Sequence, residues 1–194
     1  QNLSLPNQIF KTKQIETLLS LNYQFNENHS MGARFNWEKT PESYWSVNQF
    51  AQTFSGNQLY EDLHSNVVGN EPEGYRKANF YYSGKVKNWS IDFNADGLWS
   101  DAENTQVAEE EILGGINEAV NRSVTTFDTK KNELYAAKLV VSHPLAKGNL
   151  SFGGEYSHNK RNTTYFNEEG VIANDKAMIK EGATSAFVEY ARAF

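Results

Sequence analysis

The sequence predicts an all-β protein built as one antiparallel up-and-down meander. Seven runs alternate apolar and polar residues with the period of two that β-strands require. Aromatic residues make up 13% of the 194 residues, and this favours strands over helices. Very short turns alternate with very long polar connections along the chain. In a meander, successive connections lie at opposite ends of the strands, so one end carries tight turns and the other carries the bulk.

The seven strands are expected, in chain order, at residues 15–25, 31–37, 78–86, 89–99, 134–143, 150–158 and 183–194. Residues 3–10 are a candidate for part of an eighth. Tight turns are expected at residues 26–29, 87–88 and 146–148, which contain the Asn and Gly that turns favour. Long loops are expected at residues 39–77, 100–132 and 159–182, far beyond the ~2–5 residues of ordinary hairpin connections.

Residues 89–99 form the clearest strand pattern. Odd positions are Trp, Ile, Phe, Ala, Gly and Trp, whereas even positions are Ser, Asp, Asn, Asp and Leu. Successive side chains of a strand point to opposite faces, so one face is apolar and the other is acidic and polar. A strand of ~9–11 residues is long enough to cross a bilayer core at the tilt of a β-barrel.

The same alternation assigns faces to the other strands. One face is predicted to carry Leu19, Leu21, Phe35, Ile91, Phe93 and Leu139. The opposite face is predicted to carry Arg34, Asn36, Asp92, Asn94, Asp96, Lys138 and Glu155.

Two architectures are compatible with this alternation. A soluble sandwich or lipocalin-like barrel would turn its apolar face inward, whereas a transmembrane barrel would turn it toward lipid. Three features favour the membrane: aromatics such as Tyr23, Phe25 and Trp89 lie near the short-turn ends, the polar faces are rich in Asn, Ser and Gly, and long connections share one end. Transmembrane barrels combine short periplasmic turns with long extracellular loops.

Composition excludes several other classes of protein. The formal net charge is -6 and no basic stripe is present, which argues against nucleic-acid binding. There are no cysteines, so disulfides and thiolate metal sites are excluded. The four histidines have no metal-ligand spacing, and no phosphate loop, nucleophile elbow or triad spacing appears. No catalytic, cofactor-binding or metal-binding residue is therefore predicted, and an enzyme is not expected.

Three further features have competing interpretations. Asp92 and Asp96 are about 13 Å apart along a strand at ~3.3 Å per residue, too far for the paired carboxylates of a glycosidase. The run Glu109 to Glu111 could belong to a short amphipathic helix or a cation-attracting loop, but two glycines at 114–115 would interrupt a helix, so a mobile loop is expected. Aromatic residues of the first long connection either stack on a sugar or peptide ligand or pack the loop on itself: Tyr44, Trp45, Phe50, Phe54 and Tyr60.

Three phrases carry a family resemblance: FYYSGKVKNWSIDFNADGLWS at 80–100, LYAAKLVVSHPLAKGNLSFGGEYSH at 134–158 and SAFVEYARAF at 185–194. They resemble the TonB-dependent-receptor-like outer-membrane β-barrel family. The resemblance implies a barrel of typically 22 strands, an N-terminal plug domain and coupling to the TonB system. These 194 residues contain neither plug nor TonB box, so the expectation is a single segment of barrel wall over residues 1–194. A complete small barrel of about eight strands is the alternative.

The expected function is the barrel portion of a receptor or transporter for nutrient uptake, in the outer membrane of a Gram-negative bacterium. Expected partners are outer-membrane lipid, the TonB system through a plug domain, and a nutrient that the sequence does not identify. The apolar face would contact lipid and the polar face would line the lumen. The competing class is a soluble ligand-binding or adhesion β-sandwich.

In isolation, the sheet is expected to cover its apolar face, either by curling over it or by packing on another copy. Burial of ~1,000 Å² of apolar surface would contribute roughly 25 kcal/mol before entropy costs, which exceeds typical domain stability. The side chains expected to become buried in this way are Leu21, Phe35, Phe80, Phe93 and Phe152.

Overall fold

The computed structural model describes residues 2–115 and 120–192, and the side chains of residues 7–113 and 120–192. The described residues form β1 (Asn2–Asn26), β2 (His29–Ser55), β3 (Gln58–Asn70), β4 (Glu73–Val86), β5 (Trp89–Gly115), β6 (Val120–Leu145), β7 (Gly148–Asn167) and β8 (Asp175–Arg192). All eight strands belong to one sheet, and every pairing is antiparallel. The predicted all-β meander is therefore confirmed. Over the described residues, no helix is long and apolar enough to cross a membrane.

The eight strands occupy seven positions in the sheet because β3 and β4 lie end to end. Both run between β2 and β5, with β3 pairing their distal parts and β4 their proximal parts. Pro72 interrupts the line because it has no backbone N–H to donate. The ladder bridges the gap through Glu71 N–H to Ser43 O at 3.0 Å and Glu103 N–H to Pro72 O at 3.0 Å. Seven positions match the seven strands predicted.

Tight turns close one end of the sheet, as predicted. They are Glu27 and Asn28, residues 87–88, and residues 146–147. In the first turn, the Asn26 side-chain oxygen accepts the backbone N–H of Asn28 at 2.8 Å, a local bond typical of Asn in turns.

At the other end, the expected long loops are strands. β2 and β5 each contain 27 residues, more than twice the ~9–11 that cross a membrane. The β2–β3 hairpin closes at Gly56, whose φ is 64°, and residues 3–10 are part of β1 instead of an eighth strand. In these ladders the backbone hydrogen bonds are satisfied, but polar side chains lie on both faces. The sequence therefore shows no apolar–polar alternation there, and the strands could not be recognised from it. Residues 116–119 and the predicted strand end at 193–194 lie outside the described residues.

The sheet is a single open layer, so the expectation that it curls over its apolar face is wrong. Among the described side chains no hydrophobic residue is buried, and Leu21 is 67% exposed. Phe35, Phe80 and Phe152 are also exposed, and Phe93 is half-buried. No second sheet among the described strands supplies a sandwich, and β1 and β8 are unpaired with each other. Because the described strands form one layer, only a surface outside this sheet can cover its apolar face.

Candidate functional site

One face of the sheet carries a continuous apolar band. Residues directly paired across strands share a face. One such cross-strand row contains Leu21, Ala33, Phe80, Ala95, Ala137 and Tyr156. Parallel rows extend the band along β5 from Trp89 to Trp99, and the six predicted apolar residues all lie in it: Leu19, Leu21, Phe35, Ile91, Phe93 and Leu139.

The height of the apolar band matches a bilayer. Its ten residue steps along β5 span ~33 Å at ~3.3 Å per residue. At the ~35–45° tilt of strands in outer-membrane barrels, this length corresponds to a height of roughly 25 Å. The outward apolar band of such barrels is about 25 Å tall.

Aromatic side chains lie at both edges of the apolar band. At the edge near the tight turns, the Trp89 ring lies 4.4 Å from that of His143 and 6.1 Å from that of Phe152, centroid to centroid. At the opposite edge, Trp99 and Tyr135 pack edge to face at 5.6 Å, and the indole N–H donates to the Tyr135 hydroxyl at 2.9 Å. Two aromatic borders are typical of a band between two membrane–water interfaces.

The opposite face, here called the polar face, gathers the seven polar residues singled out from the sequence. Arg34 and Asp96 lie in one cross-strand row with Asn79 between them. The next row carries Asn94, Lys138 and Glu155 as consecutive partners. Asn36 and Asp92 each lie two residues further along the same face of β2 and β5. The register thus brings all seven to one surface.

A hydrogen-bond network connects part of this polar face. The Asn79 amide donates to Asn94 Oδ1 at 2.9 Å and to Asp96 Oδ1 at 2.7 Å. The Asn94 amide donates to Asp96 Oδ2 at 2.7 Å, and Ser83 Oγ donates to Asp92 at 2.7 Å. Alternation assigns Asn79 and Ser83 to the polar face but does not single them out, because their role depends on a cross-strand register that alternation alone does not provide. The carboxylates of Asp92 and Asp96 thus each accept a hydrogen bond from a polar side chain of β4.

Two aromatic rings on the polar face occupy the space next to glycines of the neighbouring strands. Tyr81 covers Gly32 and reaches across it, so that its hydroxyl donates to Asn22 Oδ1 at 3.0 Å. Trp45 similarly covers Gly69. A side chain on either glycine would collide with the ring, so the missing Cβ makes room for the aromatic residue.

The aromatic residues proposed as ligand contacts lie on strands and do not form one cluster. Tyr44, Trp45, Phe50 and Phe54 are in β2, and Tyr60 is in β3. Tyr44 and Phe50 share the face of the apolar band, whereas Trp45 is on the polar face. Phe50 packs edge-on against His64 with 4.5 Å between ring centroids. Ligand contact by these residues stays a prediction.

An open cavity of about 650 Å³ lies among the distal parts of β2, β3, β5 and β6. Glu109, Glu110 and Glu111 line it from β5, so the expectation that this acidic run is a mobile loop is wrong. Glu110 forms an ion pair with Arg122 of β6. Pairing across the ladder holds the run extended. Over the described residues, no three His, Asp or Glu side chains converge as a metal site.

The β7–β8 turn at residues 168–174 is held by Asn167, whose side chain is almost fully buried. The Asn167 amide donates to the backbone oxygen of Thr125 at 3.0 Å, and its oxygen accepts the Ile172 N–H at 3.1 Å. The Glu169 carboxylate accepts the Thr125 N–H at 2.7 Å and the Asn167 amide at 3.1 Å. The turn is therefore fastened to β6.

We expect this turn to loosen in acid. The hydrogen bond from the Thr125 N–H lowers the pKa of Glu169 below its usual value, and the Asn167 amide acts in the same direction. A lowered pKa stabilises the folded turn above the unfolded value of about 4.3, and this contribution disappears as the pH falls through the folded pKa. Hydrogen exchange at the Thr125 amide, corrected for its intrinsic rate, should therefore accelerate as the pH falls from the unfolded pKa of Glu169 to its lower folded pKa. Glu169→Gln should abolish the step, and an unchanged step in this variant would contradict the assignment.

Comparison with known proteins adds evidence on the fold. No family model matches the sequence, and no curated protein does. The ferric preacinetobactin receptor BauA from Acinetobacter baumannii aligns with a TM-score of 0.51 and 11% identity, over 92% of this chain and 28% of the receptor. The ferric yersiniabactin uptake receptor FyuA from Yersinia pestis aligns with a TM-score of 0.48 and 11% identity, over 91% of this chain and 34% of the receptor.

The chain spans about a third of the length of the solved receptors that it resembles. At this identity the likeness to BauA concerns the fold alone. Taken with the open meander and its two-faced sheet, it defines the class of structure as a segment of β-barrel wall.

Proposed function

We propose that this chain forms part of the barrel wall of a TonB-dependent nutrient-uptake receptor in the outer membrane of Gram-negative bacteria. The observation that carries the proposal is the apolar band, with a height of roughly 25 Å and an aromatic border at each edge. In the membrane, this band faces lipid and the polar face lines the lumen. The proposal includes the TonB system and a plug domain as partners because the family that the sequence resembles implies them.

The two ends of the sheet support a defined orientation in the membrane. The tight turns follow the band almost at once, as periplasmic turns do. On the other side, β2, β3, β5 and β6 continue well beyond Trp99 as polar ladders. In barrels the longer connections are extracellular. The cavity near Phe50 and His64 would then face the medium, where an incoming nutrient first meets the receptor.

A single-cysteine scan along β5 tests the proposal, because this segment contributes no native cysteine. Each of residues 89–99 is replaced in turn in the full-length protein, reconstituted in lipid vesicles and spin-labelled. Odd positions should be accessible to oxygen dissolved in the lipid, and even positions to a water-soluble relaxation agent. The contrast should alternate with a period of two, because successive side chains point to opposite faces.

Residues 103–109 of the same strand provide the matched control. They lie beyond Trp99 and outside the apolar band, so the water-soluble agent should reach every position. Water accessibility at all positions from 89 to 99 would overturn the membrane assignment and favour a soluble protein that covers the band with another chain.

A further inference from the structure

A polar groove crosses the long hairpins on the same face of the sheet as the apolar band. It is the open cavity of about 650 Å³ among β2, β3, β5 and β6, and most of its lining residues lie on this face, in two successive cross-strand rows. One row contains Asn48, Asn66, Glu109 and Ser123, and the next contains Phe50, His64, Glu111 and Asn121. We call these two rows the outer groove.

The outer groove lies well beyond the apolar band on the side of the long hairpins. The β5–β6 register is unbroken from Ser90 to Ile112, so Glu109 lies on the same face as Trp99. The ten residue steps between them cover ~33 Å along the strand, or ~25 Å in height at barrel tilt. The polar layer outside a bilayer core is only roughly 5–8 Å thick. The groove therefore opens to the medium and faces away from the lumen.

The outer groove offers both donors and acceptors of hydrogen bonds. Among the described residues, no hydrogen bond or ion pair engages the side chains of Asn48, Asn121, Ser123, Glu109 or Glu111. Amide and hydroxyl groups donate and accept, whereas carboxylates only accept. A ligand that fits these groups must therefore supply donors and acceptors together.

One aromatic ring lies among these polar groups. Phe50 is 50% exposed and packs edge-on against His64, with 4.5 Å between the ring centroids. An aromatic ring buries a large apolar area when a ligand covers it. The ligand of the groove should therefore carry an apolar surface beside its polar groups.

The charge of the outer groove excludes anions and does not suit a simple cation. Glu109 and Glu111 give its two rows a formal charge of -2, since Glu110 lies on the opposite face and pairs with Arg122. This charge repels an anionic ligand. An ammonium ion would match the carboxylates but has no acceptor for the amide and hydroxyl donors. A neutral polyhydroxyl ligand satisfies both kinds of group.

We propose that the outer groove binds a neutral oligosaccharide. Sugar hydroxyls pair with the amides and carboxylates, and the C–H face of a pyranose ring packs on Phe50. The cavity volume is in the usual range of ligand sites, ~300–1,000 Å³. Its rows cross three strand spacings, or ~14 Å, so several sugar units can lie along them. The inference goes beyond the proposed function, because a sugar held here lies outside the barrel wall and off the route through the lumen.

The test measures binding to the full-length protein by calorimetry, in a detergent without sugar headgroups. The probes are neutral hexasaccharides of glucose, galactose, mannose or xylose, and at least one should bind. Phe50→Ala combined with Asn66→Ala should weaken that binding on the order of 20-fold, through loss of the ring contact and of one amide. Asn70→Ala combined with Phe127→Ala removes the same residue types from the same face outside the groove. This control should keep the affinity within about twofold.

A gain of binding provides a check that misfolding cannot imitate. Glu109→Gln combined with Glu111→Gln removes the charge of the groove and keeps its shape. This variant should bind hexagalacturonic acid, an anionic probe, about tenfold more tightly than the unaltered protein does.

Three results would each refute the proposal: no neutral hexasaccharide binds, the two alanine variants lose equal affinity, or the glutamine variant gains nothing. Neutral polysaccharide released from the outer membrane is a second arm. If it binds more tightly than every hexasaccharide, the ligand is a glycan of the cell surface, and the reverse order makes it a sugar of the medium. The cysteine scan of residues 89–99 reports lipid contact alone, so the membrane assignment stands or falls separately.

Discussion

Phe93→Lys should prevent or strongly reduce assembly of the protein in the outer membrane. Phe93 lies near the middle of the apolar band, in a row with Tyr82 and Leu139. A lysine on the lipid face at mid-membrane depth costs ~2–4 kcal/mol. That is a large part of a typical net stability of ~5–15 kcal/mol. The ratio of unassembled to assembled protein should therefore rise by roughly 30- to 700-fold, at 1.4 kcal/mol per factor of ten. The measurement is the amount of folded, protease-resistant protein recovered from outer membranes.

Asp92→Lys is the matched control, since it places the same side chain one residue away on the other face. Asp92 is exposed on the polar face and accepts one hydrogen bond, from Ser83. Losing that bond costs about 1 kcal/mol, so assembly should remain close to normal. Equal tolerance of both lysines, or greater damage from Asp92→Lys, would reverse or remove the assigned faces.

The strands of the apolar band could be predicted because one face of each is apolar and the other polar. The pattern in β5 stops at Trp99, whereas the strand continues to Gly115. Beyond Trp99 polar side chains occupy both faces, such as Asp101 on one and Asn104 on the other. Composition there resembles a loop, and only the cross-strand ladder, a long-range property, keeps it extended. For this reason the sequence predicted long loops where the protein has long hairpins.

The shared face of the seven polar residues could also be predicted, because alternation needs no knowledge of strand pairing. The positions of Tyr44, Trp45 and Phe50 could not. Counting by twos from Phe35 would place Trp45 on the apolar face. A β-bulge between Lys39 and Glu42, opposite one residue of β1, reverses the alternation and turns Trp45 to the polar face. A bulge depends on pairing between strands and leaves little local signal in sequence.

Gly153→Ala should destabilise the folded protein although it adds only one methyl group. Gly153 and Gly154 are adjacent within β7, and glycines inside a strand often mark a bend or a close approach of neighbouring atoms. The structure shows a close approach: a Cβ at Gly153 would collide with the backbone oxygen of Leu139 in β6. It would also come within 2.9 Å of the Phe187 ring in β8. A ring can rotate away, but the carbonyl belongs to a paired ladder and can move only with its strand.

The expected cost of Gly153→Ala is about 1–3 kcal/mol, the usual range for overpacking a well-packed site. Denaturant titration of the protein reconstituted in lipid would measure it as a lower midpoint. Gly154→Ala is the control, because its Cβ would lie 3.2 Å from its nearest neighbour, the Ser185 backbone oxygen. Small local adjustments relieve such a contact, and replacing strand glycine with alanine gains roughly 0.5–1 kcal/mol through backbone entropy. Gly154→Ala should therefore be nearly neutral, and similar midpoints for both variants would show that β6 and β7 are not held at this separation.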